Sequence, residues 1–255
     1  MWGVEIMTSA EGLAIYKSRV DVLFENDQLL ITHKPGNSGS AVVSFAGIGL
    51  GAAGVPQEEF VKTLAGNDHD QYFVVDKVRS WYNATADGIL EVLTKHLPRH
   101  DSCITLGNSM GGFGAVYFAS RLPRCKAALA FGPQYSVHPE VAPRERRWVN
   151  WRSQIKEWKI PHALSGANRD IRSYLFFGDS SDRYQARLYK RNSLPHMALI
   201  ILAQQKHHTA AHLRRRDLLV PIIDAVWRDV EPEALRSMLH EAGVQTVDED
   251  TLLIR

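Results

Sequence analysis

The sequence predicts an α/β fold, one mostly parallel sheet with helices on both faces. Three observations lead there. Short apolar runs alternate along the chain with longer amphipathic stretches, the rhythm of strands joined by helical crossovers. The apolar runs end repeatedly on Gly, Asp or Asn, as strands feeding turns do. At 255 residues, with 45% apolar and 23% charged residues, the chain is long enough for one large core and ordinary enough in composition to be a single globular unit.

The first strands are expected at Gly12–Lys17, Val20–Glu25 and Gln28–His33. They follow each other too closely for helical crossovers, so the sheet should begin antiparallel. Ala41–Phe45 is the next strand and runs into the Gly-rich segment 46–51. Phe60, Val61 and Leu64 recur at helical spacing within a helix over Gln57–Ala65. A strand at Gln71–Val75 ends on Asp76, and Ile89, Leu90, Leu93 and Leu97 mark the apolar face of a helix over Ala84–Leu97, with Pro98 at its end. Ser102–Leu106 is a short buried strand, Gly111–Arg121 a helix, and Lys126–Phe131 a strand closed by Gly132-Pro133.

From about 134 to 170 the rhythm breaks. Trp148, Trp151 and Trp158 sit among prolines and arginines with little strand character, and this segment is expected to be a lid-like insertion within one domain spanning residues 1–255. Strands at Ser173–Phe177 and Met197–Leu202, a helix over Thr209–Trp227 broken or bent near Pro221, and a last helix over Glu231–Ala242 complete the chain.

Composition narrows the function classes. A formal charge of +2 gives no general attraction to nucleic acid. The clusters Arg144/Arg146/Arg147 and Arg214/Arg215/Arg216 are short and read as solvated surface. Cys103 and Cys125 are too few for a disulfide framework. No run is long enough to span a bilayer, and the N-terminus has no signal-peptide core, so a cytoplasmic location is expected. No His pair has HExxH or similar spacing, so neither a metal nor another cofactor is implied.

The chemistry is carried by Gly107-Asn108-Ser109-Met110-Gly111, a G-x-S-x-G pattern between the apolar strand Cys103–Leu106 and a helix. That setting distinguishes a nucleophile elbow from a chance match. Four glycines lie within 107–114, and each one inside the helix costs about 1 kcal/mol. Close approach of strand, turn and helix accounts for them. The plainer alternative is a Gly-rich turn with an incidental serine.

A serine hydroxyl needs a histidine base and an orienting carboxylate. In chain order serine, acid, histidine, the sequence supplies Asp179 or Asp182 after the strand ending at Phe177, and His207 or His208 after the strand ending at Leu202. Asp182 is preferred because Asp179 lies within the tight turn after Gly178, and His207 because His208 directly precedes a plausible helix cap at Thr209. Either aspartate could instead be a cap or an Asx-turn. The oxyanion donors are expected to be the Met110 N–H and an N–H near Gly47 and Ile48. The loop 46–51 lacks the lysine and glycine spacing of nucleotide-binding loops.

These residues resemble the α/β-hydrolase superfamily over about 28–227. Ser109-Met110-Gly111-Gly112 looks like the S-M-G-G elbow of many esterases, and Asp76 with Arg79 like the D-x-R-G loop. Ser80 stands where that family has glycine, and Ala46 where it often has histidine. The resemblance implies a Ser-His-Asp triad and a lid before the strand that bears the acid. It implies no substrate, because the fold hosts many chemistries. The expected activity is hydrolysis of a carboxylic ester or thioester, with a small molecule or glycan ester as partner. The alternatives are acyl transfer to a sugar or other alcohol, and a non-catalytic binding module. Gln134 and Tyr135 could line an acyl or alcohol pocket, or simply pack the loop.

Overall fold

A computed structural model describes residues 20–49, 57–167 and 171–253. Nine strands form one sheet: β1 Asp21–Glu25, β2 Leu29–Lys34, β3 Ser40–Phe45, β4 Asp70–Asp76, β5 Ser102–Asn108, β6 Cys125–Phe131, β7 Arg172–Gly178, β8 Met197–Leu202 and β9 Thr246–Val247. Their spatial order is β1-β2-β4-β3-β5-β6-β7-β8-β9. From β4 to β8 every neighbouring pair is parallel. The β1–β2, β2–β4 and β8–β9 pairs are antiparallel, so the sheet begins as its short connections require. The strand expected at Gly12–Lys17 lies outside the described residues.

The eight α-helices among the described residues are α1 Val61–Leu64, α2 Ala86–His96, α3 Met110–Ala119, α4 Val149–Arg152, α5 Arg183–Arg191, α6 Thr209–Arg214, α7 Leu219–Trp227 and α8 Pro232–Glu241. They divide between two cores, one on each face. Ala41, Val43, Ala128 and Ala130 face α2, α3 and α5, whose Ile89, Leu93, Phe113, Phe118 and Tyr189 fill that side. Val42, Ala127, Leu129 and Phe131 face α1, α6, α7 and α8, with Leu64, Leu213, Ile222 and Leu239. Alternate residues of one strand thus feed opposite cores, which is why the strands read as unbroken apolar runs.

Three expectations are corrected. The helix read from Gln57 begins only at Val61, because Phe60 is left-handed (φ 65°). The Thr209–Trp227 helix is broken at 215–218, where Asp217 is left-handed (φ 57°), and not at Pro221. Pro221 lies in the first turn of α7, where the missing N–H has no intrahelical acceptor to lose. Helix α5 was not expected at all. Its charged, mainly half-buried residues mask Gln185, Ala186 and Tyr189, the residues it buries.

Helix α3 is buried on almost every side. Nine of its ten residues are buried, leaving only Tyr117 partly exposed. Small Ala128 and Ala130 beneath it, and Gly114, onto which a Cβ would bring the Tyr82 ring within 2.5 Å, allow that close seat. Parallel strands all end on the same side, so the segments after β3, β5, β6, β7 and β8 converge above α3.

Candidate active site

The turn from β5 into α3 is possible only with glycine at two positions. A Cβ on Gly107 would lie 2.0 Å from the Gly111 carbonyl oxygen, and one on Gly111 2.0 Å from that of Phe45. Ser109 sits between them at φ 58°, ψ −119°, a conformation costing on the order of 1–3 kcal/mol for a residue with a side chain. Its N–H donates to Phe131 O at 2.8 Å, which fixes the turn to β6.

That conformation lifts Ser109 Oγ to 2.8 Å from His207 Nε2. His207 Nδ1 lies 2.8 Å from Asp182 Oδ1, and Asp182 Oδ2 accepts from the Gly178 N–H at 3.1 Å. Burial acts to raise the Asp182 carboxyl, but hydrogen bonds from His207, Arg147 and the Gly178 N–H hold it below the usual carboxylate range. The other candidates stand elsewhere. Asp179 pairs with Arg183 at 2.6 Å, and His208 is exposed at the start of α6.

Met110 opens α3, where a backbone N–H has no helical acceptor. Opposite it runs the strap 46–49. Tyr82 Oη donates to Ala46 O at 2.6 Å. The Gly47 N–H donates to the Glu59 carboxylate, and burial pushes that carboxyl up to about 7. Arg79 Nε donates to Ile48 O at 2.7 Å and its Nη2 to Gly49 O at 3.2 Å. Of the two strap residues read as oxyanion donors, Gly47 therefore has its N–H committed to Glu59. The Ile48 N–H belongs to the one peptide that none of these groups holds.

The buttress for the strap is the 76–83 loop. Asp76 Oδ2 accepts from Ser80 N, Ser80 Oγ and Tyr82 N at 2.7–2.9 Å. Arg79, Trp81 and Tyr82 all take left-handed backbones (φ 54°, 50° and 63°). Arg79 is capped by the Trp151 ring at 4.5 Å.

Gln134, fully buried after β6, adds a polar contact to the serine. Trp81 Nε1, a donor only, gives its proton to Gln134 Oε1 at 3.0 Å. That leaves Gln134 Nε2 to donate to Ser109 Oγ at 3.2 Å. Sequence reading placed Gln134 only at a possible pocket wall, and nothing local to residue 134 signals the indole that orients it.

The β6–β7 connection covers the site. Trp148 lies 5.9 Å from the His207 ring and 6.3 Å from Trp81, centroid to centroid. Ser109 retains 6% exposure and the His207 side chain 16%. The Trp148 indole N–H is buried with no hydrogen-bond partner among the described residues. Arg147, which sequence reading had taken as solvated surface, completes a polar chain behind Asp182 with Glu145: Arg147 Nη1 donates to Asp182 Oδ1 at 2.9 Å and its Nη2 to Glu145 Oε2 at 2.6 Å.

Among the described residues no group of His, Cys, Asp and Glu could hold a metal ion. None of their helices is long and apolar enough to cross a membrane. Chemically, the arrangement offers a hydroxyl beside an imidazole backed by a carboxylate, next to helix-start N–H groups. That set suits attack on an electrophilic carbonyl.

No protein-family model and no curated protein matches the sequence. Solved structures do match. Mouse alpha/beta hydrolase domain-containing protein 10 is 12% identical over 82% of this chain and 98% of that one, with a TM-score of 0.56. An esterase of Pyrococcus furiosus is 11% identical over 82% and 89%, at 0.54. The capsule O-acetyltransferase of Neisseria meningitidis serogroup A, in complex with CoA, is 11% identical over 77% and 93%, at 0.55. The neighbours are esterases, hydrolases and an O-acetyltransferase, and the chain shares with them the α/β-hydrolase fold.

Proposed function

We propose that this α/β-hydrolase-fold chain is a serine-dependent carboxylic ester hydrolase, acting on esters or thioesters through Ser109, His207 and Asp182. The observation that carries the reading is the unbroken run of two 2.8 Å contacts from Ser109 Oγ through the His207 ring to Asp182 Oδ1. Sequence order and strand-end placement point to Ser109, to Asp182 or Asp179 and to His207 or His208, with Asp182 and His207 preferred.

His207 Nε2 takes the hydroxyl proton as Oγ bonds to the substrate carbonyl carbon. The carbonyl oxygen becomes an oxyanion, held by the N–H groups of Met110 and Ile48. His207, now protonated and steadied by Asp182, passes the proton to the departing alkoxide or thiolate. Water then enters, gives a proton to His207 as its oxygen bonds to the acyl carbon, and His207 returns that proton to Ser109 Oγ as the carbon–Oγ bond breaks and the carboxylic acid departs. Gln134 Nε2 occupies one lone pair of Oγ, which directs the hydroxyl proton toward His207.

Labelling with a fluorophosphonate, followed by peptide mapping, is the test. The label is expected on Ser109, and Ser109→Ala is expected to lose both labelling and hydrolysis of an activated ester. An unlabelled native protein, or an Ser109→Ala variant with native activity, would sink the proposal. A second reading, acyl transfer to an alcohol, is favoured by the likeness to a capsule O-acetyltransferase over 93% of that chain. Turnover of an activated ester that accelerates with added sugar alcohols, and yields the new ester, would select it.

A further inference from the structure

We infer that Arg147 is a positioning residue that latches the β6–β7 connection onto Asp182, so that closure of this cover and the poise of the base are one event. The inference rests on the Ser109–His207–Asp182 reading and extends it to a residue outside the triad.

The geometry is specific. Arg147 Nη1 and His207 Nδ1 bind the same oxygen, Asp182 Oδ1, at 2.9 and 2.8 Å. The two nitrogens are therefore under about 6 Å apart. The rest of the guanidinium is held by Glu145, which accepts from Arg147 Nε at 2.9 Å, from Nη2 at 2.6 Å and from the Arg147 N–H at 3.0 Å. Glu145 is 3% exposed and in turn accepts from Gln185 Nε2 at 2.9 Å. Gln185 Oε1 takes the backbone N–H of Tyr135 at 2.7 Å. The chain of contacts thus runs from the start of the connection through α5 and back to its middle, closing on the acid. A surface arginine placed for solubility would not have its fork divided between two buried carboxylates.

The groups facing His207 from the elements around it are Asp182 at the start of α5, Arg147 and Trp148 from the cover, Ser109 from α3 and neighbouring His208, with Glu145 behind Arg147. Arg147 is the fixed cation among them and opposes protonation of the imidazole. It also neutralises much of the field of two carboxylates. With Ser109 only 6% exposed, admitting an ester requires the cover to lift. Lifting it takes Arg147 from Asp182 and leaves that carboxylate to the imidazole and the Gly178 N–H. Closing the cover restores the cation beside the acid that orients the base.

The pH dependence of fluorophosphonate labelling tests this without knowledge of the substrate. Arg147→Met is expected to move the acid limb of the labelling rate up by about one pH unit, the size of the interaction between charges this close in a partly solvated site. Arg147→Lys keeps the charge and loses the fork. It should leave the limb within a few tenths of a unit while slowing labelling several-fold. An unshifted limb in Arg147→Met, or equal shifts in both variants, would overturn the latch. If Arg147→Met does not fold, the double variant Arg147→Met/Glu145→Gln, which removes the Glu145 carboxylate that the lost guanidinium would leave unpaired, takes its place. Labelling about tenfold slower and faster chymotryptic cutting at Trp148 or Trp151 support the latch there, and native values for both overturn it. Wild-type protein that does not label, with Ser109→Ala unchanged, would instead defeat the underlying triad reading.

Discussion

The serine turn and the cover above it are held in place by opposite means. The turn is built by exclusion: strand, helix and neighbouring strap approach until only hydrogen fits at Gly107 and Gly111. The cover is built by polar hand-offs, from Gln185 to Glu145, from Glu145 to Arg147, and from Arg147 to Asp182. Exclusion fixes a position absolutely but cannot respond to anything. A relay of hydrogen bonds can break and re-form. A serine fixed in one place, and the movable cover inferred above, are served by the two constructions respectively.

Substitutions in each region should therefore fail differently. The largest effect is expected for Gly111→Ala. Its Cβ would meet the Phe45 carbonyl at 2.0 Å, and overpacking against backbone costs about 3 kcal/mol or more. A fall in thermal midpoint of over about 10 °C is expected, and a fall under 2 °C would show that the turn is not built by exclusion. Next, Gln134→Glu keeps the shape but replaces a donor with an acceptor beside Ser109 Oγ. Labelling should drop on the order of 100-fold, as when a donor at a reacting oxygen is lost, with little change in melting. Full activity would make Gln134 a packing residue only.

Glu59 holds the strap beside the serine turn, its carboxyl accepting from the Gly47 N–H. Its carboxyl is raised from 4.5 to about 7 by burial, with the Gly47 N–H opposing. The folded chain therefore binds more protons than the unfolded one between those values, and this group's contribution to stability falls as pH rises through that window. Urea titrations of Glu59→Gln at pH 5 and pH 8 should show that dependence reduced by up to about 3 kcal/mol. An identical pH dependence in both proteins would remove Glu59 from the account. The smallest effect is expected for Asp179→Asn. Its carboxylate is engaged by Arg183, and ester turnover should change less than about twofold. A large loss would return Asp179 to the triad.

What could be read in the chain follows the same division. The elbow is local: four glycines, a serine and an apolar strand within a dozen residues signal it, and the order of Asp182 and His207 follows from strand ends. The unbroken apolar runs of β3, β5, β6, β7 and β8 reveal a sheet buried on both faces. Interactions across sequence distance leave no such mark. Arg147 meets Asp182 35 positions on, and Trp81 meets Gln134 53 positions on. An arginine in a basic cluster looks like surface until its partners are placed. Helix α5 was hidden for a related reason. Seven of its nine residues are polar or charged, and it buries only Gln185, Ala186 and Tyr189, too few for apolar periodicity to stand out.

The nearly complete enclosure of α3 sets an order of events under mild denaturant. Its amides belong with the slowest to exchange for deuterium, because exposing them means dismantling the core on that face. Asp182 and His207 ride on connections at the rim, where local openings are less costly. Added urea should then scatter His207 and Asp182, the proposed base and its carboxylate, while Ser109 is still seated, so that turnover disappears at a concentration where the central helix keeps its protection.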